Sequence, residues 1–250
     1  MSEIDPLFLA HLTALQRVMK QKTGLLRDLK KGITNPAEAR RELESWNREL
    51  SLHATEVCAG RREYARFLTP FADDNHKDII DNNLLLQFRY CPNLECVKSR
   101  LAENGEKHFQ KEDLAAEIFA EIDYIMDSEM RRGRPLAGPQ LDDFEVLLDG
   151  VDLRVYGSQG ETRSAAIAMI LARSDVLFEK RKTRPVLFFD DIFSELDRDR
   201  THRLQELSSR DHQVFVATAR RDDVAGWSPD EMKAWNVHEG GITEAADDLP

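Results

Sequence analysis

The chain has 250 residues, 41% of them hydrophobic and 32% charged, enough apolar material for one compact domain with an appendage or for two small ones. Its net charge of −11 argues against binding nucleic acid over the whole surface, because affinity for phosphates comes largely from lysine and arginine. No apolar run approaches the roughly eighteen residues of a membrane helix, and no basic-then-apolar leader opens the chain, so the sequence predicts a cytoplasmic protein with no membrane contact. Cys58, Cys91 and Cys96 fit a reducing compartment and lack the paired spacing of a zinc site.

The first seventy residues predict two helices. Asp5 can cap the first, with Pro6 at its opening position, and Phe8, Leu12, Leu15, Met19, Lys22, Leu26 and Leu29 form a heptad seam interrupted by Lys22. After Gly32, Asn35 and Pro36 a second seam runs through Leu43, Trp46, Leu50, His53, Val57, Gly60, Tyr64 and Phe67, so the pair predicts an antiparallel coiled-coil arm ending near Pro70. His53 reads as a tolerated polar seam position, having no partner at ligand spacing. Beyond Pro70 the patterns predict a strand over 84–90, a short helix over 94–103 and a longer amphipathic helix over 111–131. Runs 144–148 and 151–155 flank Asp149-Gly150 and predict a type I′ hairpin. Helix 161–181, strand 185–190, helix 197–208, strand 213–217 and a strand over 235–238 follow, with no internal repeat.

Two segments bear on chemistry. Residues 185–197 form an apolar run ending in Asp190 and Asp191, which reads as a buried parallel strand presenting carboxylates at the sheet's carboxyl edge. Asp190 would hold Mg²⁺, and Asp191, pointing the other way at the strand's end, would polarise an attacking water. The bland alternative is an acidic turn before a helix capped by Ser194 or Asp197. Upstream, Ser158-Gln159-Gly160-Glu161 runs into an apolar helix whose free amides and positive end would seat a phosphate oxygen. Its alternative is a capping box in which Ser158 and Glu161 serve the helix alone.

The order of these segments resembles the SMC group of ABC-type ATPases, and within it the RecF family. Asp5-Pro6, Lys20-Gln21-Lys22, Arg61-Arg62-Glu63-Tyr64, Arg132-Gly133-Arg134, Gly138-Pro139 with Asp142-Asp143, and Asp149-Gly150 are similar to further landmarks of that family. The resemblance implies the C-terminal half of an α/β ABC-type ATPase head over 138–250, a mixed helical lobe over 71–137 and an inserted antiparallel coiled-coil arm over 1–70. It also implies that Ser158, Gln159, Gly160 and Glu161 are the signature turn, which would touch ATP bound on a partner head. Asp190 and Asp191 would be the Walker B acids serving Mg²⁺ and water, and Ser194 and Asp197 belong to the D-loop. The implied partners are gapped or single-stranded DNA, RecR- and RecO-like proteins and a second copy through the heads, in DNA replication, recombination, repair and the SOS response. Candidate DNA contacts are Arg61, Arg62, Arg66, Arg131, Arg132 and Arg134, each also readable as a solvated helix face.

Three features depart from the family pattern. No Gly-x-x-x-x-Gly-Lys-Ser/Thr occurs, and no glycine is followed by lysine. Gln140-Leu141 replace His-Arg, and the strand over 214–217 is followed by no histidine. ATPase activity is therefore expected only if another polypeptide supplies a P-loop, with the edge of Val186–Phe189 left exposed. The competing reading is a truncated, inert scaffold whose arm binds a protein.

Overall fold

The computed structural model describes residues 5–103, 111, 113–209, 212–220, 224 and 232–245, without the side chains of Glu103, Ser194 and Glu195. The chain divides into two compact units, Met1–Phe67 with Phe88–Val146, and Leu68–Gln87 with Leu147–Pro250.

The first unit is built on two long helices. In α1 (Pro6–Lys30) the Asp5 carboxylate accepts from the amides of Leu7 at 2.8 Å and Phe8 at 3.2 Å, and Pro6 opens the helix as its fixed φ favours. Helix α2 spans Pro36–Ile80 and runs straight through Pro70, ten residues past the expected end. Helices α3 (Glu95–Glu103) and α4 (Leu114–Tyr124) complete the layer, and α5 (Met126–Arg132) follows a break at Ile125. The predicted single helix over 111–131 is therefore two.

Phe8, Leu15 and Val18 of α1 pack with Leu50, Ala54, Val57 and Cys58 of α2, and with Leu94, Val97, Leu114, Ile118 and Ile122. The two seams thus bury against α3 and α4 as well as each other, which widens the apolar stripe of α1 to include Val18, fully buried and outside the heptad. Lys22, the polar interruption, is also fully buried and pairs with Glu129 of α5 at 2.7 Å.

Strands β1 (Leu86–Cys91), β2 (Asp143–Leu148) and β3 (Val151–Asp152) form one sheet in that order. Asp149 and Gly150 take φ of 47° and 79°, the paired positive values that a type I′ turn requires. The second strand of this hairpin is two residues long where five were expected. A helical turn, α6 (Leu153–Tyr156), takes over, with the Asp152 carboxylate capping the Arg154 amide at 2.8 Å.

In the second unit α7 (Gln159–Arg181) precedes β4 (Leu187–Asp190), a 3₁₀ turn over Ile192–Glu195, α8 (Arg198–Ser209) and β5 (Val214–Ala217). β4 and β5 pair in parallel from Leu187↔Val214 to Asp190↔Ala217, as βαβ connection through a helix demands. Among the described residues the other edge of β4 has no strand partner. One face of β4 is also exposed: Leu187 and Phe189 are buried, while Phe188 is 74% exposed and stacks on Phe215 at 4.9 Å between ring centroids. β6 (Trp235–His238) pairs antiparallel with β7 (Gly241–Glu244), a strand the sequence pattern did not signal. No helix among the described residues is long and apolar enough to cross a membrane.

Candidate functional site

The Ser158–Glu161 turn opens α7. Ser158 Oγ accepts from the Glu161 amide at 3.3 Å, and the Glu161 carboxylate accepts from the Ser158 amide at 2.9 Å and from its hydroxyl at 2.7 Å. This is a complete capping box. The Ser158 amide and then its hydroxyl, both bonded to the ionised form, hold the Glu161 carboxyl below its ordinary pKa. Ser158 and Gln159 are exposed, so the helix end that caps itself also faces solvent. The two glycines of this turn differ in what a side chain would meet. A Cβ on Gly157 would sit 2.6 Å from the Leu153 carbonyl oxygen, a backbone atom that cannot yield, whereas one on Gly160 would meet the flexible end of Arg200 at 3.0 Å.

The acids lie at the carboxyl end of β4. Asp190 is exposed on the strand's last residue. Asp191 has left the strand: its φ of 48° and ψ of 28° are left-handed, and its amide bonds the Ala217 carbonyl at 2.9 Å, adding one rung to the parallel ladder. The expectation that strand alternation aims Asp191 opposite to Asp190 therefore does not apply, because a turn conformation sets its direction. Asp is among the few residues that tolerate it. Behind the turn, Phe193 is buried edge-on to Phe189.

Asp197 caps α8, accepting from the Arg200 amide at 2.9 Å, so the bland reading of that residue is realised. The side chain of Ser194 lies outside the described residues. Among the described residues no group of three or more His, Cys, Asp or Glu could hold a metal ion. The lone Asp190 and its neighbour still suit Mg²⁺, which keeps several waters and takes one or two carboxylates together with substrate phosphates.

Residues the sequence reasoning missed stand beside these motifs. Arg200 pairs through Nε with Asp197 Oδ2 at 3.2 Å and donates from Nη1 to Ser164 Oγ at 3.4 Å, which joins Asp197 to the first turns of α7. His76 of α2 is fully buried with neither ring nitrogen hydrogen-bonded, and burial pushes its pKa down. The i,i+3 spacing of Asp197 and Arg200 was visible; the long-range approach of His76 was not. In the first unit His53 has a partner after all, His11, with the two Nδ1 atoms 3.1 Å apart.

The arginine candidates divide. Arg61 donates to Asp142 at 2.6 Å and to the Pro139 carbonyl. Asp142 also accepts from the Tyr90 hydroxyl at 2.5 Å and the Asn93 amide at 2.8 Å. Burial raises the Asp142 pKa against the pull of these donors. The Arg61-Arg62-Glu63-Tyr64 and Gly138-to-Asp142 landmarks thus meet in a half-buried polar knot. Arg66, Arg131, Arg132 and Arg134 are exposed, and Arg62 is half-buried.

No family model matches the chain. Curated relatives do: the DNA replication and repair protein RecF of Ligilactobacillus salivarius is 32% identical over 243 residues, covering 97% of this chain and 61% of the relative. That of Halothermothrix orenii is 29% identical over 245 residues, covering 97% and 62%. The chain thus spans about three fifths of the length of the curated relatives it matches. A solved structure of the recombination mediator protein RecF with ATP, in the RecFOR pathway, superposes with a TM-score of 0.77 at 21% identity, covering 98% of this chain and 60% of that one. A second RecF structure, with ATPrS, gives 0.77 at 22%, covering 97% and 60%. Over nearly its whole length the chain is similar to RecF proteins, and its fold is that of the solved RecF structures.

Proposed function

We propose that this polypeptide provides the signature, Walker B and D-loop portion of a RecF-type ATPase head acting in DNA replication and repair. The observation that carries the reading is that one compact unit holds both a solvent-facing, glycine-flanked helix start at Ser158–Glu161 and a parallel strand ending in Asp190 and Asp191. In this scheme Gln159 and Gly160 present amides to ATP held by a facing head, and Ser158 would turn its hydroxyl from Glu161 to the nucleotide. Glu161 fixes the turn, Asp197 contributes to the contact between heads, and Ser194 belongs with it. Asp190 would hold Mg²⁺, which when bound neutralises charge on the nucleotide phosphates. Asp191 accepts a hydrogen bond from the attacking water and orients it.

No phosphate-cradling Gly-Lys loop occurs in these 250 residues, so ATP is taken up with a Walker A-bearing segment from polypeptide outside them. Nucleotide-driven pairing of two heads then couples binding energy to dimerisation, and hydrolysis releases it. RecR- and RecO-like proteins and gapped or single-strand/double-strand junction DNA are the partners this cycle would serve, with the α1–α2 helices as an arm and the cytoplasm as the setting.

The test is direct. The purified chain alone should bind ATP no tighter than millimolar, and addition of a Walker A-bearing segment should create micromolar binding and turnover. Asp191→Asn, which keeps a residue tolerant of the left-handed backbone, should then lower turnover roughly 10²–10⁴-fold with stability little changed. Micromolar binding by the chain alone, or full turnover in the Asn variant, overturns the proposal.

A further inference from the structure

We infer that Arg200 is a positioning residue that clamps the Asp197 turn to the first turns of α7, so that the D-loop and the Ser158–Glu161 turn move as one piece. The inference deepens the proposed function and rests on it only in naming these two turns as the elements that meet a facing head.

Two side-chain contacts of Arg200 and one bond from its backbone amide support it. The Arg200 Nε lies 3.2 Å from Asp197 Oδ2, and its backbone amide donates to Oδ1 of the same carboxylate at 2.9 Å, so the Asp197 end is held twice. Nη1, at the far corner of the guanidinium, lies 3.4 Å from the hydroxyl of fully buried Ser164. The same Nη1 is 3.0 Å from where a Cβ of Gly160 would stand. A planar guanidinium presents donors in a fixed fork and serves two acceptors on different elements at once, which a single-point ammonium does not.

Helix stability gives no reason for a cation here. Arg200 sits in the first turn of α8 and lies against the first turn of α7, so the positive ends of two macrodipoles converge on a positive side chain. Asp197 and Glu161 offset that cost, and Arg200 contributes to holding the Glu161 carboxyl in its ionised form. A placement unfavourable to both helices, compensated by one acid from each motif, is what a tie between the motifs requires. It also gives Gly160 a role, since an added methyl would displace the guanidinium end by a few tenths of an ångström and strain a Ser164 contact already 3.4 Å long.

The chain itself, without nucleotide, is sufficient for the test. Amide resonances of Gln159 and Gly160 should shift when Asp197→Asn removes the charge that Arg200 pairs with. In an Arg200→Lys background the Asp197→Asn shift at Gln159 should be lost. In Gly160→Ala, where the clashing atom is the end of a flexible side chain and the melting temperature should hold, the same loss is expected. Unmoved Gln159 and Gly160 resonances on Asp197→Asn, or a shift of equal size in both backgrounds, overturns the inference while leaving the nucleotide reading standing. Failure of ATP capture with a Walker A segment present would remove the nucleotide reading and leave the clamp.

Discussion

Lys22 and Glu129 form an ion pair with no exposed side-chain area on either partner, 2.7 Å apart. At an effective dielectric near 20 their attraction is about 6 kcal/mol, and the desolvation of two ions at several kcal/mol each cancels most of it. The pair therefore contributes little net stability while making each partner indispensable to the other. Burial lowers the Lys22 pKa, and Glu129 opposes the shift, the signature of that balance. Lys22→Met should cost about 3–5 kcal/mol, because it strands a buried carboxylate. Glu129→Leu should cost as much, and it also removes the acceptor of the Leu136 amide, bonded at 2.9 Å. The double variant should recover most of the loss, giving a coupling energy of several kcal/mol in a double-mutant cycle. Urea unfolding followed by circular dichroism at pH 7 measures all four species. A cost below about 1 kcal/mol for Lys22→Met would mean that water reaches the pair, and the account of a sealed helical interface fails.

Other perturbations test separate parts of the structure. His76 has a folded pKa below its ordinary 6.5, so below that pH the unfolded chain binds more protons and stability should fall on acidification. His76→Leu should flatten unfolding profiles between pH 6.5 and the lower folded value; an unchanged slope contradicts the burial assigned to the ring. Replacing Arg131, Arg132 and Arg134 by glutamine should weaken binding to gapped DNA and lower the salt slope by roughly 2–3 units if each meets a phosphate. Arg61→Gln should instead lower stability by about 1–3 kcal/mol through the loss of a partner for buried Asp142. An unaltered salt slope in the triple variant rules out that cluster as the DNA contact. Phe188→Thr should reduce self-association measured by light scattering, since it removes the most exposed aromatic of the β4–β5 face; equal scattering by both proteins counts against that face as a sticky surface.

Local chemistry was readable from the sequence where a residue acts on near neighbours. Asp5 and Pro6 start α1, Asp149-Gly150 turns a hairpin, and Ser158 with Glu161 caps α7, each within a few positions. Helix α2 shows the opposite case. Pro70 removes one amide donor and strains the turn before it, a cost of about 3 kcal/mol. Burial of Leu68, Ala72 and Ile79 on the same helix outweighs it. The sequence shows the cost and hides the compensation, because that depends on what the helix packs against. His53 with His11, and Lys22 with Glu129, are likewise pairings across 42 and 107 positions that no local period encodes. β7 was missed for a local reason: its turn is Glu239-Gly240, with φ of 47° and 77°, and glutamate is an uncommon choice where asparagine or aspartate is the usual signal.

The motif residues share one difficulty that bears on any mutational study. Ser158 and Glu161 close a capping box, Asp197 caps α8, and Asp191 ends β4 in a left-handed turn. Each therefore has a folding role that accounts for it without nucleotide: alanine at 158, 161 or 197 removes a cap contact worth about 1 kcal/mol, and alanine at 191 strains a left-handed backbone, together with whatever chemistry the side chain performs. Loss of activity in such a variant would not separate the two. Substitutions that keep the backbone role do. Asn at 191 accepts the left-handed conformation and at 197 still caps, while each loses its negative charge; Gln at 161 retains an acceptor for the Ser158 amide. The discriminating result is a folded, equally stable protein that fails in nucleotide turnover, because only a group acting beyond its own helix end can produce it.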